Sequence, residues 1–292
     1  MTRPLPAALQ EWERQLRAAG VPSPAQDART LAATVLSAEP VAVALLPELS
    51  EADRARIDEL VRRRANREPL QHIVGTAPFL DLELIVGPGV FVPRPETEVL
   101  AAWAIDWLAA CGDAPIAVDL CSGSGALALA VATRVPGARV TGVELSAAAL
   151  SYAERNRQRY RDRLSAAELE FRAGDATDPE LLSTLANSVD LVVCNPPYIP
   201  NEAIPRDPEV RDYDPELALY GGPDGLAVVR KMLPVVRRLL RPGGRLAMEH
   251  GDLQGDDHGL PGLITAAGGF TDVVDHPDLV GRPRFTTAVL AD

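Results

Sequence analysis

The chain of 292 residues is long enough for one large domain, or for a large domain with a smaller one. Its 47% hydrophobic content supplies an ordinary globular core, while a net charge of −12 argues against a protein that mainly grips phosphate backbones, since that affinity comes from Lys and Arg. No stretch approaches the roughly 20 apolar residues of a membrane span, and residues 1–13 lack an apolar leader core, so the expected address is the cytoplasm.

Residues 1–75 read as helices only. Leu9, Trp12, Leu16 and Ala19 recur at helical spacing, and Gly20 closes the run. Ser23-Pro24 opens a second helix through Ala28, Leu31, Ala32 and Val35. Ser50 with Glu51 and Asp53 is an N-cap with early acidic residues for a third helix. That helix passes through Ile57, Leu60 and Val61 to a basic end at Arg62, Arg63, Arg64 and Arg67. The cluster reads either as a solvated helix end favoured by the macrodipole or as a contact for an acidic partner or RNA.

Phe79–Val86, a Gly87-Pro88-Gly89 turn and Val90–Val92 read as a hairpin joining this domain to the next. A helix opens at about Glu96. From residue 115 strands alternate with helical patterns, the signature of a mostly parallel sheet with crossover helices. The expected strands are 116–120, 140–144, 169–172, 191–194, 244–249, 271–274 and 285–290, with helices at 125–134, 146–160 and 225–241. The expected domains are a helical one at 1–75, a hairpin linker at 76–95 and a catalytic domain at 96–292.

The first expected strand runs through Asp119 into Cys121-Ser122-Gly123-Ser124-Gly125 and then a helix. Gly123 and Gly125 let backbone approach a ligand closely, and the helix start supplies N–H groups. Glu144 ends the next strand 19 residues after Gly125, placed to accept from ribose hydroxyls. The third glycine of a dinucleotide fingerprint is missing, since Leu127 and Ala128 follow. Asp119 would repel a pyrophosphate but can approach the ammonium of a methionine moiety. Asp175 of Gly174-Asp175-Ala176 is placed either to accept from an adenine amine or to cap a helix. Together these residues favour S-adenosylmethionine, leaving S-adenosylhomocysteine as product. Cys111, Cys121 and Cys194 have neither metal-ligand nor disulfide-framework spacing; Cys121 and Cys194, each ending an apolar strand, read as small buried fillers, and no metal is expected.

Asn195-Pro196-Pro197-Tyr198 follows the strand ending at Cys194. Two prolines stiffen the loop and remove two N–H donors, leaving oxygens and an aromatic ring. The Asn195 side-chain oxygen and the Pro196 carbonyl can each accept one hydrogen of a planar –NH2 group, with Tyr198 packed on its plane. The lone pair of the held nitrogen can then face a methyl donor, so the reaction needs positioning above all. The bland alternative is a rigid turn after a strand.

These residues lie in a chain that resembles the bacterial release factor glutamine methyltransferases over nearly its whole length. The likeness is carried by Glu68-Pro69-Leu70-Gln71-His72-Ile73-Val74-Gly75, Arg94-Pro95-Glu96-Thr97-Glu98, the glycine loop, the Asn-Pro-Pro-Tyr tetrad, Asp214-Pro215-Glu216 and Gly221-Gly222-Pro223-Asp224-Gly225-Leu226. The resemblance implies an α/β fold: a seven-stranded Rossmann-like methyltransferase domain preceded by a small helical domain that helps dock the substrate. It implies methylation of the glutamine in the Gly-Gly-Gln motif of class I peptide chain release factors. Carried over by position, Cys121 to Gly125, Glu144, Asp175, Ala176 and also Asn195 line the cofactor, and Asn195, Pro196, Pro197 and Tyr198 hold the glutamine. Three positions depart from the family pattern: Cys121 stands where Gly is usual, Glu144 where Asp is more frequent, and Ala176 where many members carry an aromatic ring. Cys121 must therefore avoid a positive φ or accept strain.

The competing readings are an N-methyltransferase for an exocyclic amine of DNA or ribosomal RNA, and a non-catalytic S-adenosylmethionine-binding module. The acidic charge and the lack of a nucleic-acid module count against the first, so no stable nucleic-acid partner is expected. An intact nitrogen clamp counts against the second. Nothing in the chain demands more than a monomer.

Overall fold

The structure is a computed structural model that describes residues 3–43, 46, 48–164 and 166–292. The chain divides into two compact units, one of residues 1–76 with 205–213 and one of residues 77–204 with 214–292.

The first unit is built on helices. Strand β1 (Arg3–Pro4) leads into α1 (Leu5–Ala18), α2 (Pro24–Leu36) and α3 (Pro40–Val43); β2 (Glu48–Leu49), α4 (Glu51–Ala65) and α5 (Leu70–Val74) follow. The expectation of helices only is corrected in one detail: β1 and β2 form a two-residue antiparallel ladder. Leu5, Ala8, Trp12 and Leu16 recur at i, i+3, i+7 and i+11, so α1 buries one stripe against Leu31, Ile57 and Val61. The Trp12 indole N–H is satisfied by Asp58 at 2.6 Å. Ser50 caps α4 by accepting the Asp53 N–H at 3.1 Å.

Neither reading of the basic cluster holds for its inner members. Arg64 is buried, donating to Asp27 at 2.8 Å and to Glu209 at 2.7 Å. Arg67 donates to both Glu209 oxygens at 2.8 and 2.6 Å. Arg62 pairs with Glu59 and Arg63 with Glu68. A buried guanidinium requires such partners, and Glu209 lies too far away in sequence to be foreseen.

The second unit opens with β3 (Thr76–Phe79), β4 (Leu82–Ile85) and α6 (Thr97–Ala109). It continues through β5 (Ile116–Leu120), α7 (Ala126–Arg134), β6 (Arg139–Glu144), α8 (Ala147–Arg159), β7 (Glu168–Ala173) and β8 (Val189–Cys194). The chain then contributes α9 (Pro208–Tyr213) to the first unit. It returns with α10 (Glu216–Leu219), α11 (Ala227–Leu239), β9 (Leu240–Glu249), α12 (Leu260–Ala267), β10 (Phe270–Pro277) and β11 (Pro283–Leu290).

One sheet of seven strands has the order β10-β11-β9-β8-β5-β6-β7. The strands from β9 to β7 run parallel, and β11 joins β9 antiparallel with β10 outside it. Alternate residues feed two core layers. Ala117, Leu191 and Val193 pack with Leu100, Ala104 and Leu129 on one face. Val118, Leu120 and Val192 pack with Met232, Val236 and Ile264 on the other. Strand order reverses at β5, whose neighbours are β6 on one side and β8 on the other; such a switch point opens a crevice beyond the carboxyl ends of the strands.

The hairpin differs from expectation. Its turn lies at Leu80-Asp81, with Leu80 at φ +52°, and residues 90–92 form no strand. Without Gly or Asn in the turn its position was invisible in sequence. Nor is it a loose connector: Ala77, Phe79, Leu82, Leu84, Val86, Val90 and Val92 belong to the core of the second unit. Among the described residues no helix is long and apolar enough to cross a membrane.

Candidate active site

The register places the two motif loops side by side. Leu120 of β5 pairs with Cys194 of β8, so Cys121 and Asn195 leave neighbouring strands at the same edge.

The glycine loop is held mainly by carboxylates acting on backbone. Glu144 accepts the Gly123 N–H on one oxygen and the Ser146 N–H on the other, each at 2.7 Å. Asp119, 1% exposed, accepts the Ala128 N–H at 3.1 Å and so caps α7 from inside the sheet. Burial pushes its carboxyl up to about 7, and its Oδ1 has no hydrogen-bond partner. The Ser122 hydroxyl donates to the Asp119 carbonyl at 2.9 Å, and the Ser124 carbonyl accepts from the buried Asn156 amide at 3.0 Å. Gly125 has φ +84°, and a Cβ there would lie 2.6 Å from the Phe171 ring. Gly123 has φ +57° but open space around it, so backbone conformation alone demands glycine. Cys121 takes φ +61°, accepting the strain that a non-glycine residue meets there.

Asp175 is exposed, and its Oδ1 accepts from the Thr177 N–H at 2.8 Å and the Thr177 hydroxyl at 2.7 Å, an Asx turn that leaves Oδ2 free of those bonds. Ala176 is buried against the layer containing Val118 and Val143.

The tetrad loop is held differently. Pro196 and Pro197 are buried, and Asn195 and Tyr198 are half-buried. The Asn195 Nδ2 lies 3.3 Å from the Thr97 hydroxyl, which donates to Glu249 Oε2 at 2.6 Å. The Tyr198 phenol donates to Glu249 Oε1 at 3.4 Å. Burial pushes the Glu249 carboxyl up to about 7, and burial beside that carboxylate keeps the Tyr198 phenol protonated well above its usual range. The Tyr198 carbonyl accepts from Gln254 at 3.1 Å. A Cβ at Gly221 would meet the Pro197 carbonyl at 2.3 Å, and one at Gly225 the Tyr198 carbonyl at 2.1 Å. Gly221 and Gly225 of the Gly221–Leu226 segment are thus required by close approach to the tetrad backbone. Arg94 pairs with the buried Asp214 at 2.7 Å, linking the Arg94–Glu98 and Asp214–Glu216 segments.

Sequence reading missed Glu249, Gln254 and Asn156. Glu249 had a signal: like Asp119, it is a carboxylate closing an apolar strand at this edge of the sheet. Asn156 had one too, falling on the apolar stripe of Ala149 and Ala153.

The arrangement can hold a nucleoside-bearing ligand over the glycine loop and a planar amine at the tetrad. Comparison with known proteins agrees in both halves. Residues 7–75 match the model of the PrmC N-terminal domain and residues 114–266 a methyltransferase domain. The chain is 49% identical to the release factor glutamine methyltransferase of Streptomyces coelicolor, over 94% of each chain. It is 48% identical to that of Mycolicibacterium smegmatis, over 99% of this chain and 98% of the other. It is also 41% identical, over 94% of this chain and 91% of the other, to the 4-amino-L-phenylalanine/4-methylamino-L-phenylalanine methyltransferase of Streptomyces pristinaespiralis. Identity at this level across whole chains, with both domains matched in order, means that the chain belongs to the release factor glutamine methyltransferase family.

Proposed function

We propose that the protein methylates the side-chain amide nitrogen N5 of the glutamine in the Gly-Gly-Gln motif of class I peptide chain release factors, acting in the cytoplasm as a monomer. The observation that carries the reading is the adjacency of the glycine loop and the tetrad on paired strands, one for a methyl donor and one for a nitrogen acceptor. S-Adenosylmethionine, when bound, supplies a methyl group already activated by its sulfonium. The residues fit it: the unpaired Asp119 Oδ1 is an acceptor suited to an ammonium, Gly123 leaves room beside the backbone, and the carboxylate of Glu144 keeps lone pairs for ribose hydroxyls. Cys121, Ser122, Ser124 and Gly125 complete that cradle, with Asp175 Oδ2 and Ala176 at the adenine.

At the acceptor, Asn195 Oδ1 and the Pro196 carbonyl each take one N–H of the glutamine amide, and Pro197 and Tyr198 close around it. The amide nitrogen is a poor nucleophile because its lone pair is delocalised; holding both hydrogens out of conjugation restores it. With its lone pair so freed, the held nitrogen could take the methyl group, the donor's sulfur leaving as a neutral thioether and one N–H proton passing to solvent. The first unit serves as the docking element for the factor.

The test mixes purified protein, a release factor and methyl-labelled cofactor. Label is expected on the wild-type factor and none on a factor whose motif glutamine is replaced by alanine; label retained on that variant overturns the assignment. The 41% identical relative acts, by its name, on an aromatic amine, so 4-amino-L-phenylalanine is included as a competing acceptor. Turnover of that amine in preference to the factor would establish the second reading.

A further inference from the structure

Two residues outside the tetrad decide which way the Asn195 carboxamide faces. Thr97 is the first residue of α6 and Glu249 the last of β9; they are 4% and 1% exposed, so water does not substitute for either. The Thr97 hydroxyl has one proton. When Glu249 is ionised it has only acceptors to offer, so at 2.6 Å from its Oε2 the Thr97 hydroxyl donates that proton there. Only its lone pairs remain for Asn195. The group 3.3 Å away is therefore the amide nitrogen, donating to Thr97. That hydrogen bond turns Oδ1 to the opposite edge of the carboxamide. The orientation matters because Asn195 presents an acceptor to an –NH2 substrate only with Oδ1 forward. Rotated by half a turn, the side chain would oppose two sets of donors. The second oxygen of the same carboxylate receives the Tyr198 phenol, so one buried group sets both ends of the tetrad.

We infer that Thr97 and Glu249 are positioning residues for methyl transfer, forming a relay that fixes the Asn195 amide in its acceptor-forward orientation. Neither touches the transferred methyl. The inference rests on the glutamine reading above, and the two fail separately.

The experiment compares Thr97→Val, Thr97→Ser, Glu249→Gln and Asn195→Ala in full-length protein. It measures kcat and KM on a release factor, cofactor Kd by calorimetry, and Tm. Valine keeps the shape of threonine but removes the donor, and glutamine brings donors to Glu249's place. Both variants are expected to lower kcat about tenfold or more, with KM and cofactor Kd unchanged. Thr97→Ser, which retains the hydroxyl, is expected to restore most of kcat. The double variant Thr97→Val/Asn195→Ala is expected to be no slower than Asn195→Ala alone, since the relay has nothing left to orient. Wild-type kcat in Thr97→Val overturns the inference, as does a loss in Thr97→Val that Thr97→Ser does not rescue. Should Thr97→Val not fold, wild-type kcat in Glu249→Gln overturns it equally. Wild-type protein that leaves the motif glutamine unlabelled sinks the glutamine reading itself.

Discussion

The loop after β5 and the loop after β8 lie on paired strands but are held in opposite ways. The glycine loop is fixed by two nearby carboxylates, Asp119 and Glu144, acting on main-chain N–H groups. The tetrad loop is fixed by side chains from far away in sequence, Thr97, Glu249 and Gln254, and by glycines that let a second loop lie against its carbonyls. A loop that wraps a flexible ligand needs its backbone shaped. A loop that must aim one carboxamide needs its side chain oriented, and only a network reaching into the core supplies that.

The two loops separate most plainly at Asn195. Asn195→Ala removes one of two acceptors and leaves the glycine loop intact. It is expected to lower kcat by about 10²–10³-fold, the scale seen when one preorganised hydrogen-bonding group is lost, while cofactor Kd by calorimetry stays at the wild-type value. A parallel loss of cofactor affinity would show that the two loops are one unit.

The glycines separate the loops next. Gly225→Ala forces a Cβ to 2.1 Å from the Tyr198 carbonyl, at φ +80°. Backbone must move, and kcat is expected to fall about 10²-fold, the cost of misplacing a reacting group by about 1 Å. Gly123→Ala meets nothing within 4 Å and bears only the conformational strain, about 1–2 kcal/mol. It is expected to weaken cofactor binding and leave kcat at saturating cofactor unchanged. Equal effects of the two substitutions on kcat would refute the division.

Acidity sharpens the same contrast. Both Asp119 and Glu249 are pushed up to about 7 by burial. Around Glu249, Arg284 pulls its carboxyl down and Glu96 pushes it up, while Tyr198 stays a neutral phenol. Above pH about 7 Glu249 is ionised and Thr97 must donate to it. Below that pH Glu249 carries a proton of its own, and the Thr97 hydroxyl is freed to donate to Asn195, admitting the rotated amide. At saturating cofactor, kcat is expected to fall as pH drops through about 7 in the wild type, and to lack that limb in Glu249→Gln. The limb should survive in Asp119→Asn, whose effect belongs to cofactor Kd. On stability the sign is common to both. A carboxyl whose folded pKa is raised contributes stability present below its unfolded pKa and lost as pH rises through about 7. Thermal melts of Asp119→Asn should thus gain on wild type from pH 5 to 8.

The same division explains what was legible in sequence. The parallel sheet and the glycine loop are local signals, because strand, turn and helix follow within some fifteen residues of one another. All seven expected strands lie within observed ones. The relay was not legible because its parts come from residues 97, 195 and 249 and meet only through strand order. Asn156 stood out as a polar residue on an apolar stripe, but its partners were hidden for the same reason. Its side chain exchanges two hydrogen bonds with Ile85 and donates a third to Ser124, joining the hairpin and the glycine loop through one position on α8. A hairpin that read as a linker is stitched into the core by a residue some seventy positions later.

Cys121 gives the smallest effect and isolates backbone strain from chemistry. It holds φ +61°, a conformation that costs a side-chain-bearing residue about 1–2 kcal/mol. Glycine relieves that cost but gives up about 0.5–1 kcal/mol through the larger freedom of the unfolded chain. The residue also lies against Cys194, whose thiol is kept protonated by burial, and packs at the edge of the same core layer. Cys121→Gly is therefore expected to stabilise the protein by about 1 kcal/mol or less, the difference between those two opposing costs. Denaturant melts should show this as a small rise in midpoint at constant slope. Cofactor Kd and kcat should both hold, because the loop keeps the same φ and the tetrad is oriented from Thr97 and Glu249. A fall in kcat on this substitution would mean that the Cys121 side chain, packed beside the strand that ends at the tetrad, helps to set the aim of Asn195 as well.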